Sequence, residues 1–203
     1  CTAKPSTGDF PINNVDPSGL DPNTAPSVGQ LDKVGQRWNV PPELLFGIWI
    51  HEGQVQAHPN MGLQKGLANG ALGWDASTGW MSVSPSTAAF LDERLVVPDS
   101  YPNLERSERT SLYRKQVPYL ERVEYSQRLL DPDENLDYAA RYLDYLRKVV
   151  YPDRAWLGDF EWAVIASWYN QGSGAGYVPT EKYGRYIFEQ LPLIRERMTE
   201  VRK

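Results

Sequence analysis

The sequence predicts a mainly α domain preceded by an extended N-terminal segment. Three observations carry that expectation. From Leu31 onward, apolar residues recur at intervals of three and four, as on the buried face of a helix. Proline, serine and aspartate stand where such stretches begin, and glycine where they end. No stretch alternates convincingly as a strand, although residues 54–80 leave room for a small hairpin.

Residues 1–30 are rich in Pro, Gly, Asn, Asp, Ser and Thr, with Phe10, Ile12, Val15 and Leu20 as their few large apolar side chains. Such a stretch buries too little surface to repay its ordering entropy alone, so it reads as a strap or tether. Leu31, Val34 and Trp38 share one face of a first helix. Pro41-Pro42 opens a second, with Glu43 near its positive end and Gly53 as the expected stop. A glycine-rich loop over 54–80 follows, and Ser84-Pro85-Ser86-Thr87 starts a helix through Ala88, Ala89 and Leu91. Residues 94–130 are charged but include Tyr113, Val117, Leu120 and Val123, which suggests an inserted helical segment. Asp131-Pro132 opens a helix whose Leu136, Ala139, Ala140, Leu143 and Leu146 repeat at three and four. Residues 160–169 are apolar nearly all round and read as a central buried helix. A glycine loop at 172–176 precedes a last helix from about Tyr183 to Glu200. The expected division is therefore a strap over 1–30 and one domain over 31–203, with an insertion at about 94–130.

Composition narrows the function. With 21 basic and 26 acidic residues the net charge is −5, and no basic stripe appears, so nucleic acid is not an expected partner. No apolar run approaches the roughly 18–20 residues of a membrane span. Seven Trp and twelve Tyr suit either an aromatic core or a groove in which sugar rings stack. The single cysteine, Cys1, forms no internal disulfide and no cysteine metal site. Mature bacterial lipoproteins begin with a lipid-modified cysteine, and Cys1 with its tether-like sequel resembles that arrangement. An ordinary cysteine at that position is the other reading.

Glu52 is the residue of most chemical interest. At about 100° per residue, Leu44, Leu45, Ile48 and Trp49 share one sector of the second helix, and Glu52 projects into its middle. An ionisable group there is costly unless paired, protonated or facing a cleft. Apolar neighbours and the negative helix end both disfavour the charged carboxylate, leaving an acid able to donate a proton to a glycosidic oxygen. Position alone also allows a terminal Glu that turns to solvent or pairs with Arg. His51-Glu52 starts an H-E-x-x-H zinc pattern, but Val55 stands where the second His is required. The glycine loop 172–176 lacks the following Lys-Ser/Thr of a phosphate loop. No metal or cofactor is expected.

Five segments, in order, resemble the lytic transglycosylases with a goose-lysozyme-like domain. Val40-Pro41-Pro42-Glu43-Leu44-Leu45 through His51-Glu52 resembles that family's first catalytic helix, which ends in its catalytic Glu. Gly79-Trp80-Met81-Ser82-Val83-Ser84-Pro85-Ser86-Thr87-Ala88 resembles its G-L-M-Q-x-x-P-x-T-A segment. Leu130-Asp131-Pro132 through Asn135-Leu136 and Tyr142-Leu143 resembles its D-P-x-x-N-I…Y-L helix. Ala166-Ser167-Trp168-Tyr169-Asn170-Gln171-Gly172 resembles its A-A-Y-N-A-G element, and Tyr183 through Tyr186-Ile187 its closing helix. The likeness spans about residues 31–195. Departures are Gly53 in place of the usual Ser, Ser82 in place of Gln, Ala76-Ser77-Thr78-Gly79 in place of G-A-x-G, and the long 94–130 segment.

The resemblance implies a lysozyme-like helical fold and non-hydrolytic cleavage of the β-1,4 bond between N-acetylmuramic acid and N-acetylglucosamine in peptidoglycan. Glu52 would be the single acid/base, and Met81, Ser82, Tyr169, Asn170 and Tyr186 would line the groove. A hydrolytic muramidase or chitinase-like enzyme is the second expectation. It needs a means of activating water, for which Asp75 is the nearest carboxylate, otherwise a turn or helix-cap residue. A catalytically silent cell-wall-binding domain of the same fold is the third. The expected setting is the cell envelope: a monomer on the periplasmic face of the outer membrane, anchored through lipid on Cys1.

Overall fold

The computed structural model describes residues 25–55 (53–55 by backbone alone), 69, 72, 75–97 and 100–202. Cys1, most of the expected strap and most of the 54–80 loop lie outside the described residues. Within them the chain is helical, with one isolated antiparallel bridge between Thr78 and Val83 and no strand. No described helix is long and apolar enough to cross a membrane.

Helix α1 spans Val28–Trp38, and its Ser27 cap accepts from the Gln30 amide while Gln30 returns a bond to Ser27 N–H. It therefore begins three residues before the expected boundary at 31. Helix α2 spans Pro42–Val55. It runs past Gly53 to Val55, since one glycine inside a helix costs only about 1 kcal/mol. The single apolar sector is also too narrow a description of α2. Leu44, Leu45, Phe46, Ile48, Trp49 and Ile50 are all buried, so this helix is enclosed on nearly every side.

Helix α3 spans Pro85–Leu91, capped by Ser84 as its sequence suggests. A 3-10 turn at Tyr101–Asn103 leads to α4 (Arg106–Gln116) and α5 (Tyr119–Arg128), which make up the expected helical insertion. Tyr113 and Val117 are buried, whereas Leu120 is exposed. Helix α6 spans Pro132–Val150, its Asp131 cap accepting from the amides of Asp133 and Glu134. The predicted stripe of Leu136, Ala139, Ala140, Leu143 and Leu146 is fully buried. Helix α7 (Asp159–Gln171) buries every residue from Trp162 to Trp168 and packs on α2, α6 and α8 (Gly184–Val201).

Two close contacts set how these helices meet. A Cβ on Gly184 would stand 2.0 Å from Ser167 Oγ and 2.6 Å from the Ala163 carbonyl, so the start of α8 sits directly on α7. Ser167 holds the preceding turn there by accepting from the Thr180 amide at 3.0 Å. On the other side of the domain, Asp92 closes α3 and gathers donors from two helices. Tyr138 and Arg141 of α6 reach it at 2.7 and 2.6 Å, and Tyr125 and Arg128 of α5 at 3.2 and 3.3 Å. Burial alone would raise the Asp92 carboxyl, but the bonds from Tyr138 and Arg141 and the two arginine charges outweigh it and hold it below its ordinary range.

Two expectations follow. Gly184→Ala should destabilise the fold by about 3 kcal/mol in denaturant unfolding, since neither contact is with a flexible tip. A neutral Ala variant would show that α8 does not start against α7. Asp92→Asn should cost about 2 kcal/mol near neutral pH. Because the folded carboxyl is depressed, its contribution is complete above the unfolded value of about 3.9 and lost as pH falls through the folded one. The gap between wild type and Asp92→Asn should thus be level from about pH 5 to 7 and close below about pH 4. A gap that widens with acid would contradict the depressed carboxyl.

Candidate active site

Glu52 lies near the C-terminal end of α2 and is 8% exposed. The Tyr183 hydroxyl, at the N-cap of α8, donates to its Oε1 at 2.8 Å. Burial, and then the charge of Glu52, push the Tyr183 phenol well above its ordinary value. The hydroxyl consequently keeps its proton and remains a donor. Tyr169 of α7 is raised by the same two causes, which places its ring within the field of Glu52. It donates to the main-chain oxygen of Met81 at 2.5 Å. Three elements, α2, α7 and the start of α8, thus meet around one carboxylate.

The turn that carries Met81 is built from both sides. Gly79 has φ +75°, and a Cβ there would lie 2.4 Å from the Asn135 side chain and the Leu129 carbonyl. Asn135, wholly buried in α6, accepts from Met81 N–H at 2.7 Å. It donates to the carbonyls of Thr78 and Leu129 at 3.0 and 3.2 Å. Ser82 follows at φ +54°, a left-handed conformation that costs a non-glycine residue about 1 kcal/mol. Its hydroxyl is buried without a partner among the described groups.

A cleft of about 150 Å³ opens beside this turn. Tyr169, Asn170 and Ser82 form one part of its wall, and Asp75, Ser77, Val83, Ser84, Thr87, Arg106, Arg109 and Tyr142 contribute the rest. Glu52 is not itself on that wall; Tyr169 is the residue common to both. Asp75 is buried and used as a helix-start acceptor, taking the Ser86 N–H at 2.8 Å and the Ser86 O–H at 2.5 Å. A larger cavity lies around Pro41, Pro42, Trp156 and Trp162, at the opposite end of α2. Its charged residues are already paired, Arg147 with Asp144, Arg195 with Asp159 and Asp32 with Arg202, so it offers no free acid.

The structure brings Glu52, Tyr169, Asn170 and Ser82 into one region. Met81 enters differently from the expectation. Its side chain is fully buried, so its contribution is the main-chain carbonyl rather than a thioether in a groove. Tyr186 packs edge-on against His51, ring centroids 5.2 Å apart, while Tyr183 one turn earlier takes the bond to Glu52. His51 also lies on Tyr183 at 4.4 Å, meets the Lys182 carbonyl through Nε2 at 3.3 Å, and keeps a buried Nδ1 without a partner among the described residues. Tyr183 is the residue that sequence reasoning missed. Its only signal was its place at the start of the last helix, one turn before the nominated tyrosine.

Comparison with protein families, with curated proteins and with solved structures found no match.

Glu52 and Tyr183 should be energetically coupled. In a double-mutant cycle of Glu52→Leu and Tyr183→Phe, the interaction energy from urea unfolding should be about 1 kcal/mol or more. Strictly additive effects would mean that hydroxyl and carboxylate do not meet in solution.

Proposed function

We propose that this protein is a lytic transglycosylase that cleaves peptidoglycan glycan strands, with Glu52 as its single acid/base. The observation that carries the reading is the buried Glu52 carboxyl, held by the Tyr183 hydroxyl and within electrostatic reach of Tyr169, which itself lines a polar cleft with Asn170. The lysozyme-like arrangement of the helices belongs to the same proposal, and rests on the ordered motifs rather than on any matched structure.

In the proposed reaction, Glu52 in its acid form protonates the oxygen linking muramic C1 to N-acetylglucosamine, and the C1–O bond breaks. The N-acetyl oxygen of the muramic residue stabilises the cationic C1, a substrate-assisted route known among glycosidases. Glu52, now a carboxylate, takes the proton from the muramic C6 hydroxyl as that oxygen bonds to C1. The 1,6-anhydro ring closes and Glu52 regains its proton. Tyr183 holds the carboxyl in one orientation through the cycle. Tyr169 and Asn170 line the groove, with Ser82 on the same wall. The substrate places the protein in the cell envelope.

A hydrolytic glycosidase is the second reading, favoured by the presence of Asp75 on the cleft wall. Against it, both Asp75 oxygens already accept hydrogen bonds from Ser86. That is the geometry of a helix-start anchor rather than of a base free to activate water.

Mass spectrometry of purified peptidoglycan after digestion should reveal 1,6-anhydromuropeptides. Glu52→Gln should lower their rate of formation by about a thousandfold. Reducing-end muropeptides would transfer the assignment to a hydrolase. A folded protein that releases nothing from several wall types would instead be a binding domain.

A further inference from the structure

The insertion places two arginines on the cleft wall. Arg106 and Arg109, one turn apart on α4, line it together with Ser77, Ser84 and Thr87. Arg106 is exposed and uses one terminal nitrogen on the main-chain oxygen of Asp75, at 3.2 Å. Arg109 is half-buried, its guanidinium 5.3 Å from the centre of the Tyr101 ring, and its Nε is buried without a partner among the described residues. Neither forms an ion pair among the described residues. The carboxylate facing them is Asp75, whose two oxygens are engaged by Ser86. Glu105, the N-cap of this helix, and Glu108 within it lie off the cleft wall, with Glu108 accepting from the Glu105 amide at 2.9 Å. This end of the cleft is therefore cationic, in a chain whose net charge is −5.

We propose that Arg106 and Arg109 form an anion subsite that receives a carboxylate carried on the muramoyl side of the strand; this rests on the reading of the cleft as a peptidoglycan groove. Planar guanidinium forks suit a carboxylate, which accepts two parallel bonds. A bare N-acetylglucosamine polymer has no such group. A muramoyl strand supplies it in either of two ways: the lactyl carboxylate of a peptide-free residue, or the carboxylates of an attached stem peptide. The insertion would thereby set substrate choice, while Glu52 performs the chemistry.

Calorimetric binding to the Glu52→Gln protein tests this, with three oligomers of equal length: chito-oligosaccharide, peptide-free muramoyl glycan and peptide-bearing muramoyl glycan. At least one muramoyl oligomer should bind about tenfold or more tightly than the neutral one, and the preference should weaken with salt. Whichever muramoyl form binds better identifies the source of the carboxylate. Adding Arg106→Gln should reduce that preference, and adding Arg109→Lys should reduce it while retaining the charge. Arg106 is exposed, so its variant should keep the parent melting temperature. Equal affinity for all three oligomers, or an undiminished preference in the doubly substituted Arg106→Gln/Arg109→Gln background, would overturn the subsite and leave the groove reading intact. Failure to bind any of the three would overturn both.

Discussion

A carboxyl group buried among apolar helices must find a donor, and much of this domain is arranged so that Glu52 does. Helix α2 is enclosed nearly all round, so its last described side chains cannot simply turn to water. An unsatisfied polar group at such a place would cost several kcal/mol. Tyr183 meets the need from the N-cap of α8, and that requires α8 to begin at one spot. Gly184 permits the spot by letting the backbone lie on α7, and Ser167 holds the turn that leads to it. The relative placement of α2, α7 and α8 is thus tied to one hydrogen bond.

The cleft wall has a second origin. Asn135 and Asp75 are buried polar side chains that serve main-chain and hydroxyl groups of the 75–87 segment. Their bonds fix a turn containing Gly79 and a left-handed Ser82, and so set Ser82 and Ser84 on the cleft wall. Short groups fixed by backbone lose little entropy on contact with a ligand. The shortening of the expected glutamine to Ser82 fits that design, because a rigid backbone carries the position.

The helices were legible in the sequence because their signals are local. Ser84 and Asp131 cap as their types demand, and the α6 stripe follows from spacing alone. Glu52 was legible because it interrupts an apolar sector. The choice between Tyr183 and Tyr186 was not, since both lie near the start of one helix and both meet α2, Tyr186 at His51 and Tyr183 at Glu52. Met81 was legible as a site position but not as a main-chain acceptor, for side-chain identity does not report carbonyl direction. Gly53 reads as a stop by propensity, but α2 continues to Val55, a single glycine being a weak breaker.

The insertion was the least legible part, because charged helices look alike until their neighbours are known. Its attachments explain why its arginines belong to the cleft. Gln116 bonds both the amide and the carbonyl of Val96 at 2.8 Å, fixing the end of α4 to the chain that enters the segment. The Tyr101 hydroxyl meets Ser86 and Thr87 at 2.8 and 3.1 Å, fixing the start of the segment to α3. Asp92 then binds α5 to α3 and α6. Ser86 is held by Asp75 on one side and touches Tyr101 on the other, and Arg109 lies against the Tyr101 ring. The cationic end of the cleft is therefore built on the same polar scaffold as the Ser82 turn, and the two ends keep a fixed separation. On the proposed reading, such a wall would let one unit of a glycan strand be recognised at the arginines while another is cut at Glu52.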